Sequence, residues 1–283
     1  MHSMMIALAA IAAVVLRWAW LPASGNWQQR WQKTLFFFLL PILLLAMTAI
    51  AIVCMGPQGT MAGMPTVGYT YQLAIALLIL ASFVALSLVY TTQQSLKRLQ
   101  QYPELPQPPG LSQKPRKTPD SQPLCAQIGF WQPQLVISQG LLDLLDTEHL
   151  NAVFAHEQAH YHYRDTFWFF GLGVLRRLTF WLPHSQALWE ELLTLREVRA
   201  DAYAAQSVDK LLLAEALLFS VSAATGDIPA HSATLHPSVK GDRLQERIDA
   251  LLDETASQPQ QPWWTWSWLL TTILPLLAIP FHT

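Results

Sequence analysis

The apolar residues of this chain are concentrated in four runs that are long enough, or nearly so, to cross a lipid bilayer. A membrane-spanning helix needs about 20 mostly apolar residues. The runs cover residues 4–20, 35–55, 73–90 and 263–281. We therefore predict three transmembrane helices within residues 1–91 and a fourth near the carboxyl end. The first run has no basic segment before its apolar centre, so we expect an uncleaved anchor rather than a signal peptide.

Between the third and fourth runs, the pattern changes to the shorter segments that are typical of a folded domain. Residues 92–123 are rich in proline and basic side chains, and they predict a linker or a belt that wraps the domain. Residues 124–138 contain two short β-prone runs, which favour a hairpin. Helical periodicity follows. The predicted fold class is mainly α and membrane-bound, with a small β-hairpin or sheet in a domain over residues 124–256.

A further apolar run, residues 166–182, requires a separate interpretation. Arg176 and Arg177 interrupt it and leave only about ten consecutive apolar residues, which are too few to cross a bilayer. We therefore predict a buried or interface-lying helix that ends at Pro183.

Basic residues between the apolar runs predict the orientation in the membrane, because such residues are enriched on the cytoplasmic side. The loop after the second run, residues 56–71, carries no charged side chain. The segments after the first and third runs carry the basic residues Arg30, Lys33, Lys97, Arg98, Lys114, Arg116 and Lys117. We expect the amino terminus outside and residues 91–262 in the cytoplasm, at a bacterial-type inner or plasma membrane.

Composition is consistent with this arrangement. Hydrophobic residues make up 52% of the chain and charged residues 13%, against roughly 25% charged residues in soluble domains. The apolar runs contain almost no charged residues, and this scarcity argues against an ion path through the membrane. The exception is Arg17, whose side chain we expect to reach the lipid headgroups. The net charge of −2 argues against a nucleic-acid partner. The two cysteines, Cys54 and Cys125, suggest no disulfide framework and fit a reducing compartment.

Candidate chemistry lies in the pentad HEQAH, an HExxH motif well inside a predicted helix that starts near Thr147. Its first and last residues, His156 and His160, lie on one face of a helix, so their imidazoles can bind one zinc ion. Glu157 lies between them, where its carboxylate can take a proton from metal-bound water. The pentad therefore predicts a zinc metallopeptidase.

A catalytic zinc site needs a third protein ligand, and residues 190–205 predict a second helix that supplies one. Glu197 completes a His-His-Glu set that leaves the fourth position to water, the pattern of catalytic rather than structural zinc. Asp201, one turn later, can accept the second N–H of a ligand histidine and fix its tautomer. The alternative for both acids is ordinary helix-surface charge, paired with Arg196 or Arg199.

Several motifs in one order resemble the BlaR/MecR-type integral-membrane zinc peptidases, which are related to HtpX and the CAAX prenyl proteases. The similar stretch covers about residues 124–251 and contains PQLVISQGLLDLL, LNAVFAHEQAHYHYRD and LPHSQALWEELLTLREVRADAYAA. The resemblance implies a zincin-like α+β domain of the gluzincin type, in the cytoplasm, below four spans. Antibiotic-sensing members continue into a penicillin-binding domain, whereas this chain ends at Thr283, so we expect no direct β-lactam sensing.

The resemblance leaves the residue that stabilises the oxyanion open. The broader group carries a His-Pro dipeptide shortly before an Arg-Ile pair. Here His236-Pro237 and Arg247-Ile248 match that pattern with a longer gap, and Arg243 is a competing match. His236, Arg243 and Arg247 are therefore three candidates for this catalytic role, and a capping or salt-bridging role is the alternative for each.

These patterns predict a zinc endopeptidase that hydrolyses cytosolic or membrane-proximal polypeptides, with regulated proteolysis or signalling as the expected context. We expect a substrate to pair with an edge strand of the hairpin, and self-cleavage within residues 100–123 is an open alternative. A different class of function is a non-catalytic membrane regulator that zinc only stabilises. That class would be favoured by a fourth protein ligand such as His162 or His236. The physiological substrate, the activating signal and the oligomeric state stay open.

Overall fold

The computed structural model describes residues 2–22, 25–58, 60–61, 64–65, 68–223, 241–252 and 263–281. Its helices are α1 (His2–Trp18), α2 (Trp27–Met55), α3 (Gly68–Leu99), α4 (Gln139–Leu144), α5 (Thr147–His162), α6 (Asp165–Leu178), α7 (Ser185–Ala204), α8 (Lys210–Ala223), α9 (Gly241–Leu252) and a 3-10 helix (Trp263–Phe281). Its strands are β1 (Thr60–Met61), β2 (Met64–Pro65), β3 (Arg116–Thr118), β4 (Cys125–Ile128) and β5 (Gln134–Ser138).

The chain divides into two compact units. The first unit contains Met1–Ser87, Gly173–Leu192 and Gln258–Thr283, and the second contains Leu88–Leu172 and Leu193–Ser257. Helices α3, α6 and α7 contribute residues to both units.

The first unit is built from apolar helices. α2 and α3 contain the predicted runs 35–55 and 73–90, and both are long and apolar enough to cross a membrane. α1 and the 3-10 helix are shorter apolar helices, so the predicted first and fourth spans stay predictions. α3 exposes large apolar side chains, a surface that is unfavourable in water: Leu73, Leu77, Ile79, Leu80, Phe83 and Leu86.

The expectation for Arg17 is wrong, because its side chain is buried inside the first unit and does not reach outward to headgroups. Its guanidinium donates to the backbone oxygen of Phe38 at 3.2 Å and to the hydroxyl of Ser185 at 3.3 Å. It also lies over the Phe38 ring, 5.1 Å from the ring centroid. These contacts offset part of the free-energy cost of burying a charge. Local sequence does not reveal them, because Ser185 is 168 residues away in the chain.

The second unit contains a three-stranded sheet in the order β3-β5-β4. The hairpin predicted within residues 124–138 is confirmed as β4 and β5, whose antiparallel register pairs Cys125 with Ile137. Gly129 follows β4 with a φ of 109°, a backbone conformation that favours glycine. Of the two alternatives for the proline-rich segment, β3 departs from a free linker, because it pairs in parallel with β5 of the domain. A three-residue strand with basic side chains carries no alternation to detect, so its pairing partner decides its conformation.

Helix α5 packs against two layers of the second unit. On one side, Phe154 joins a core with the β5 residues Leu135 and Ile137. On the other side, Ala152 joins a core with residues of the later helices: Ala204, Leu213, Ala214, Ala216 and Leu251. The pentad helix is therefore held by the sheet and by α7, α8 and α9.

Helix α6 corresponds to the apolar run 166–182, for which we predicted a buried or interface-lying helix. It buries Phe169 and Leu172, whereas Trp168 is exposed. It ends at Leu178, five residues before Pro183, so the proline does not terminate it as we expected.

Replacing Gly140 by alanine tests how tightly the segment before β4 packs on α4. A Cβ atom at this position would lie 1.9 Å from the backbone oxygen of Ser121, a contact that only a backbone shift relieves. We expect Gly140→Ala to lower the free energy of unfolding by about 1–3 kcal/mol or more, measured by thermal unfolding of the purified protein in detergent.

The matched control is Gly171→Ala on α6, where no atom lies within 4 Å of the new Cβ among the described residues. Removing a glycine from a helix interior should raise the free energy of unfolding by about 0.5–1 kcal/mol. Equal melting temperatures for the two variants would contradict the close approach at Gly140.

Candidate metal centre

The pentad lies in the second half of α5. The helix begins after Asp146, whose side chain accepts a hydrogen bond from the backbone N–H of His149 at 2.9 Å and so caps the first turn. The helix start that the sequence predicted near Thr147 is confirmed, since Thr147 is the first residue of α5. His156, Glu157 and His160 are all buried. Two ligands four residues apart in a helix face the same side, as one metal ion requires.

Helix α7 brings Glu197 to the two histidines. The Nε2 atom of His156 lies 3.1 Å from Nε2 of His160 and 3.2 Å from Oε2 of Glu197. The third side of this triangle, from His160 Nε2 to the same oxygen, is 3.7 Å. Ligand bonds of about 2.0–2.1 Å at tetrahedral angles place donor atoms about 3.3 Å apart. The three spacings therefore fit one zinc ion, and these residues form a group that could hold a metal.

The outer nitrogens of both imidazoles meet buried carboxylates. Nδ1 of His156 lies 2.8 Å from Oδ1 of Asp201, as the sequence suggested for a ligand histidine. Nδ1 of His160 donates to Oδ2 of Asp165 at 2.8 Å. With zinc bound, a proton on each Nδ1 would leave the lone pair of each Nε2 free for the position shared with Glu197.

Sequence reasoning missed the role of Asp165. The residue follows the end of α5, so the helical periodicity that relates His156 to His160 does not extend to it. Arg164 has a positive φ of 53°, which turns the chain and starts α6 at Asp165. The signal in the sequence was the Arg-Asp pair after the pentad, which gave no indication of which ring the carboxylate meets.

Three arginines compensate the buried acids around the cluster. Arg247 donates two hydrogen bonds to Asp201, from Nε at 2.8 Å and from Nη2 at 2.9 Å. Arg196 donates from Nε and Nη2 to Oε1 of Glu197, at 2.9 and 2.6 Å. Arg199 forms an ion pair with Asp165. Glu197 therefore forms the ion pair with Arg196 and also contacts the histidines, because its two carboxylate oxygens face different partners.

These contacts control the charge of the cluster. Burial by itself would raise the pKa of Glu197, but Arg196 and the histidines outweigh it and hold this pKa well below its usual range. Burial would likewise lower the pKa of His156, but Asp201 and Glu197 outweigh it and raise this pKa to about 10. The pKa of His160 is raised for the same reasons, with Glu197 and Asp165 as its partners. Without a metal, the cluster therefore retains protons that zinc must displace.

Glu157 differs from its neighbours because one of its carboxylate oxygens has no donor. Oε2 is buried and meets no hydrogen-bond donor within the part of the chain that the structure describes. Its backbone oxygen accepts from Nε2 of Gln127 on β4 at 3.3 Å, which ties the pentad helix to that strand. A buried carboxylate oxygen without a donor is costly. A general base that takes a proton from the attacking water needs a free lone pair of this kind.

The three candidates for oxyanion stabilisation have different positions. Arg247 is buried and its Nη1 lies 3.6 Å from Oε2 of Glu197. Arg243 lies one turn earlier on α9 and is partly exposed. His236 lies outside the described residues. His162, the other possible fourth ligand, is exposed and stacks on Tyr203 with ring centroids 5.0 Å apart. Among the described residues, the metal-ligand group has three members.

Zinc-free protein should become less stable as the pH rises. The pKa of His156 is raised from 6.5 to about 10 in the folded chain, so its protonation stabilises the fold fully below about pH 6.5 and progressively less towards pH 10. We expect the melting temperature of EDTA-treated protein to fall from about pH 7 to about pH 9.5.

Zinc-loaded protein is the control for this pH series, because ligation keeps both imidazoles deprotonated and removes the proton linkage. A melting temperature of the EDTA-treated protein that stays constant or rises over the same range, relative to this control, contradicts the assigned charge state.

Replacing Asp165 by alanine should weaken zinc binding, because His160 loses the partner of its outer nitrogen and Arg199 loses its buried counter-charge. We expect a loss of about 10–100-fold in zinc affinity, measured by competition with a chromophoric chelator.

Asp165→Asn keeps an oxygen acceptor and should recover part of this affinity, and Asp143→Ala on the exposed face of α4 should leave it unchanged. Wild-type affinity in Asp165→Ala is the result that contradicts the role of this carboxylate.

The region around the pentad is similar to a known protein family. Residues 126–194 match the family model described as Peptidase family M48. The match includes β4 from its second residue, all of β5 and the pentad. It ends three residues before Glu197, so the third ligand rests on the geometry. No curated protein was found to match the chain. Over residues 126–194, the chain is thus similar to the zinc metallopeptidases of family M48, and its His156, His160 and Glu197 cluster is compatible with a zinc site.

Proposed function

We propose that this chain is a membrane-embedded zinc endopeptidase whose active centre is formed by His156, His160 and Glu197, with Glu157 as the general base. The observation that carries the proposal is the convergence of three donor atoms at 3.1, 3.2 and 3.7 Å from one another. The match of residues 126–194 to Peptidase family M48 supports peptide hydrolysis as the reaction class.

The two histidines and Glu197 would hold zinc, and Asp201 and Asp165 would keep the rings in position. Zinc, when bound, supplies Lewis acidity, which polarises a peptide carbonyl and makes water a nucleophile near neutral pH. The carboxylate of Glu157 takes the proton of the attacking water through its unpartnered oxygen. The same carboxylate then gives that proton to the leaving amine, which completes hydrolysis of the peptide bond.

Arg247 is the oxyanion candidate with described contacts to the cluster, and we assign it a positioning role. Two of its donors are already bonded to Asp201, which in turn contacts His156. Its remaining Nη1 lies near Glu197. Oxyanion stabilisation by His236 or Arg243 stays a prediction from the sequence resemblance.

Strand β4 is the proposed docking edge for substrate. β5 pairs with one side of β4, and no described strand pairs with the other side. Gln127 on β4 donates to the backbone of Glu157, so the strand lies directly against the pentad helix. A polypeptide added to this edge gains backbone hydrogen bonds and passes the general base.

The membrane context is proposed from length, composition and charge. α2 and α3 are candidate spans. The basic residues after the first and third apolar runs support an outer amino terminus, a cytoplasmic peptidase domain and spans at 4–20 and 263–281. The resemblance to BlaR/MecR-type peptidases supports cytosolic or membrane-proximal proteins as substrates, regulated proteolysis or signalling as the context, and self-cleavage as an alternative.

Replacing Glu157 by glutamine tests the proposed reaction. Glu157 is not a metal ligand and the amide keeps the size of its side chain, so zinc content should stay at the wild-type level. The amide cannot accept the proton, so hydrolysis should be lost. We expect kcat for a peptide substrate to fall by about 10²–10⁴-fold. Zinc is measured by elemental analysis of the purified protein, and hydrolysis by chromatography of an unstructured peptide.

Glu148→Gln makes the same chemical change in the first turn of α5 and should leave both zinc content and hydrolysis unchanged. Full activity in Glu157→Gln would exclude this mechanism. Zinc retention with no hydrolysis in any variant, wild type included, would favour a non-catalytic regulator that zinc stabilises.

A further inference from the structure

A cavity of about 850 Å³ in the second unit lies beside the pentad helix, and the metal cluster is not among its lining residues. It is lined by the segment before β3, by the turn between β4 and β5, and by the end of α5 with the start of α6. Gln158 and His162 from α5 line it, and each is two residues, about 200° of helical rotation, from a metal ligand. The cavity is therefore on a different face of the helix from the zinc site.

The cavity has uncompensated positive charge. Among its lining residues, Arg116 is paired with Glu104 at 2.6 Å and also donates to Gln134 at 3.1 Å. Lys114 and Arg164 are exposed, and neither has an ion pair within the described ranges of the chain. An anionic group that enters the cavity thus meets two free cations and one that is already neutralised.

Arg164 reaches this position through an unusual backbone conformation. Its φ of 53° is in the left-handed region, which disfavours residues with a Cβ. Its N–H donates to the oxygen of Tyr161 at 3.2 Å, and its own oxygen accepts from Phe167 at 3.0 Å. Glycine or asparagine is the usual residue at such a helix end. A long cation there is a local outlier of the kind that clusters at binding sites.

Aromatic rings form another wall of the cavity. Trp131 is 65% exposed and packs edge-to-face on Phe167, with ring centroids 5.8 Å apart. Phe130, at the start of the same turn, stacks on Phe170 at 4.5 Å. Rings held by other rings keep their positions, so they offer a preformed apolar surface beside the cations.

We propose that this cavity is a recognition site for a polypeptide substrate segment that carries carboxylates next to an aromatic or aliphatic side chain. The inference rests on the proposed endopeptidase function and names the class of substrate. Its second support is continuity with β4, because Phe130 follows the end of that strand by two residues. An extended chain advances about 3.3 Å per residue, so a peptide paired with β4 reaches the cavity within a few residues of the strand end.

A charge exchange between protein and peptide tests the proposal. The protein is the full chain in detergent, zinc-loaded and carrying Glu157→Gln so that the peptide is not consumed. The probes are two fluorescein-labelled peptides that are identical except for Glu-Glu-Phe or Lys-Lys-Phe at one position. Kd is measured by fluorescence anisotropy at low salt, and we expect the Glu-Glu peptide to bind about tenfold more tightly.

The pocket variant adds Lys114→Glu and Arg164→Glu, and it should reverse this preference and bind the Lys-Lys peptide more tightly. Gain of binding to one peptide shows that the variant is folded. Lys210→Glu on α8 changes a lysine outside the cavity and should keep the original preference.

A preference that is the same in the pocket variant and in its parent overturns the proposal. Nanodisc binding gives a second result that overturns it. If the pocket variant keeps its peptide preference but no longer prefers phosphatidylglycerol nanodiscs over phosphatidylcholine nanodiscs, the cavity binds lipid headgroups instead. Hydrolysis of an uncharged peptide by the wild-type protein tests the proposed function separately, because the binding assay needs no catalysis.

Discussion

The direction of two imidazole rings is the constraint on which the candidate site depends. Each ring has two nitrogens, and only a fixed ring presents the correct one to a metal. Asp201 and Asp165 occupy the outer nitrogens at 2.8 Å, so the inner nitrogens of His156 and His160 are brought to 3.1 Å from each other. A proton shared between the two inner nitrogens satisfies this contact without a metal, and the convergence of both nitrogens with Oε2 of Glu197 is what fits a metal ion.

This constraint has a consequence for packing, because it buries acids that water would otherwise solvate. Asp165 and Asp201 are each about 1% exposed. Arg199 and Arg247 neutralise them, and Arg196 neutralises the oxygen of Glu197 that faces away from the histidines. The resulting network joins α5, α6, α7 and α9. It therefore braces the helices of the second unit as well as positioning ligands, and a buried network of this kind tolerates the loss of one member poorly.

Patterns of local sequence predicted most of the elements and the two histidines, because helical spacing is a local property. The pentad helix, the hairpin and the helix over the run 166–182 all formed. The wrong expectations involve distant partners. Arg17 is buried against Ser185, and residues 116–118 became a strand by pairing with β5. The contact of Asp165 with His160 is close in sequence, but it was missed because a turn and not a helix joins the two residues. None of these contacts leaves a periodic trace in the chain.

The sequence by itself determined which residues are able to bind zinc and on which helix faces they lie, because periodicity and side-chain chemistry are carried by consecutive residues. It also determined the long apolar runs, whose length is set by the thickness of a bilayer. Only the tertiary structure decided that Glu197 meets the pentad, that Arg247 is bonded to Asp201, and that Lys114 and Arg164 share a cavity with aromatic rings. These pairs are separated by tens of residues, and their proximity depends on how the sheet and helices of the second unit pack.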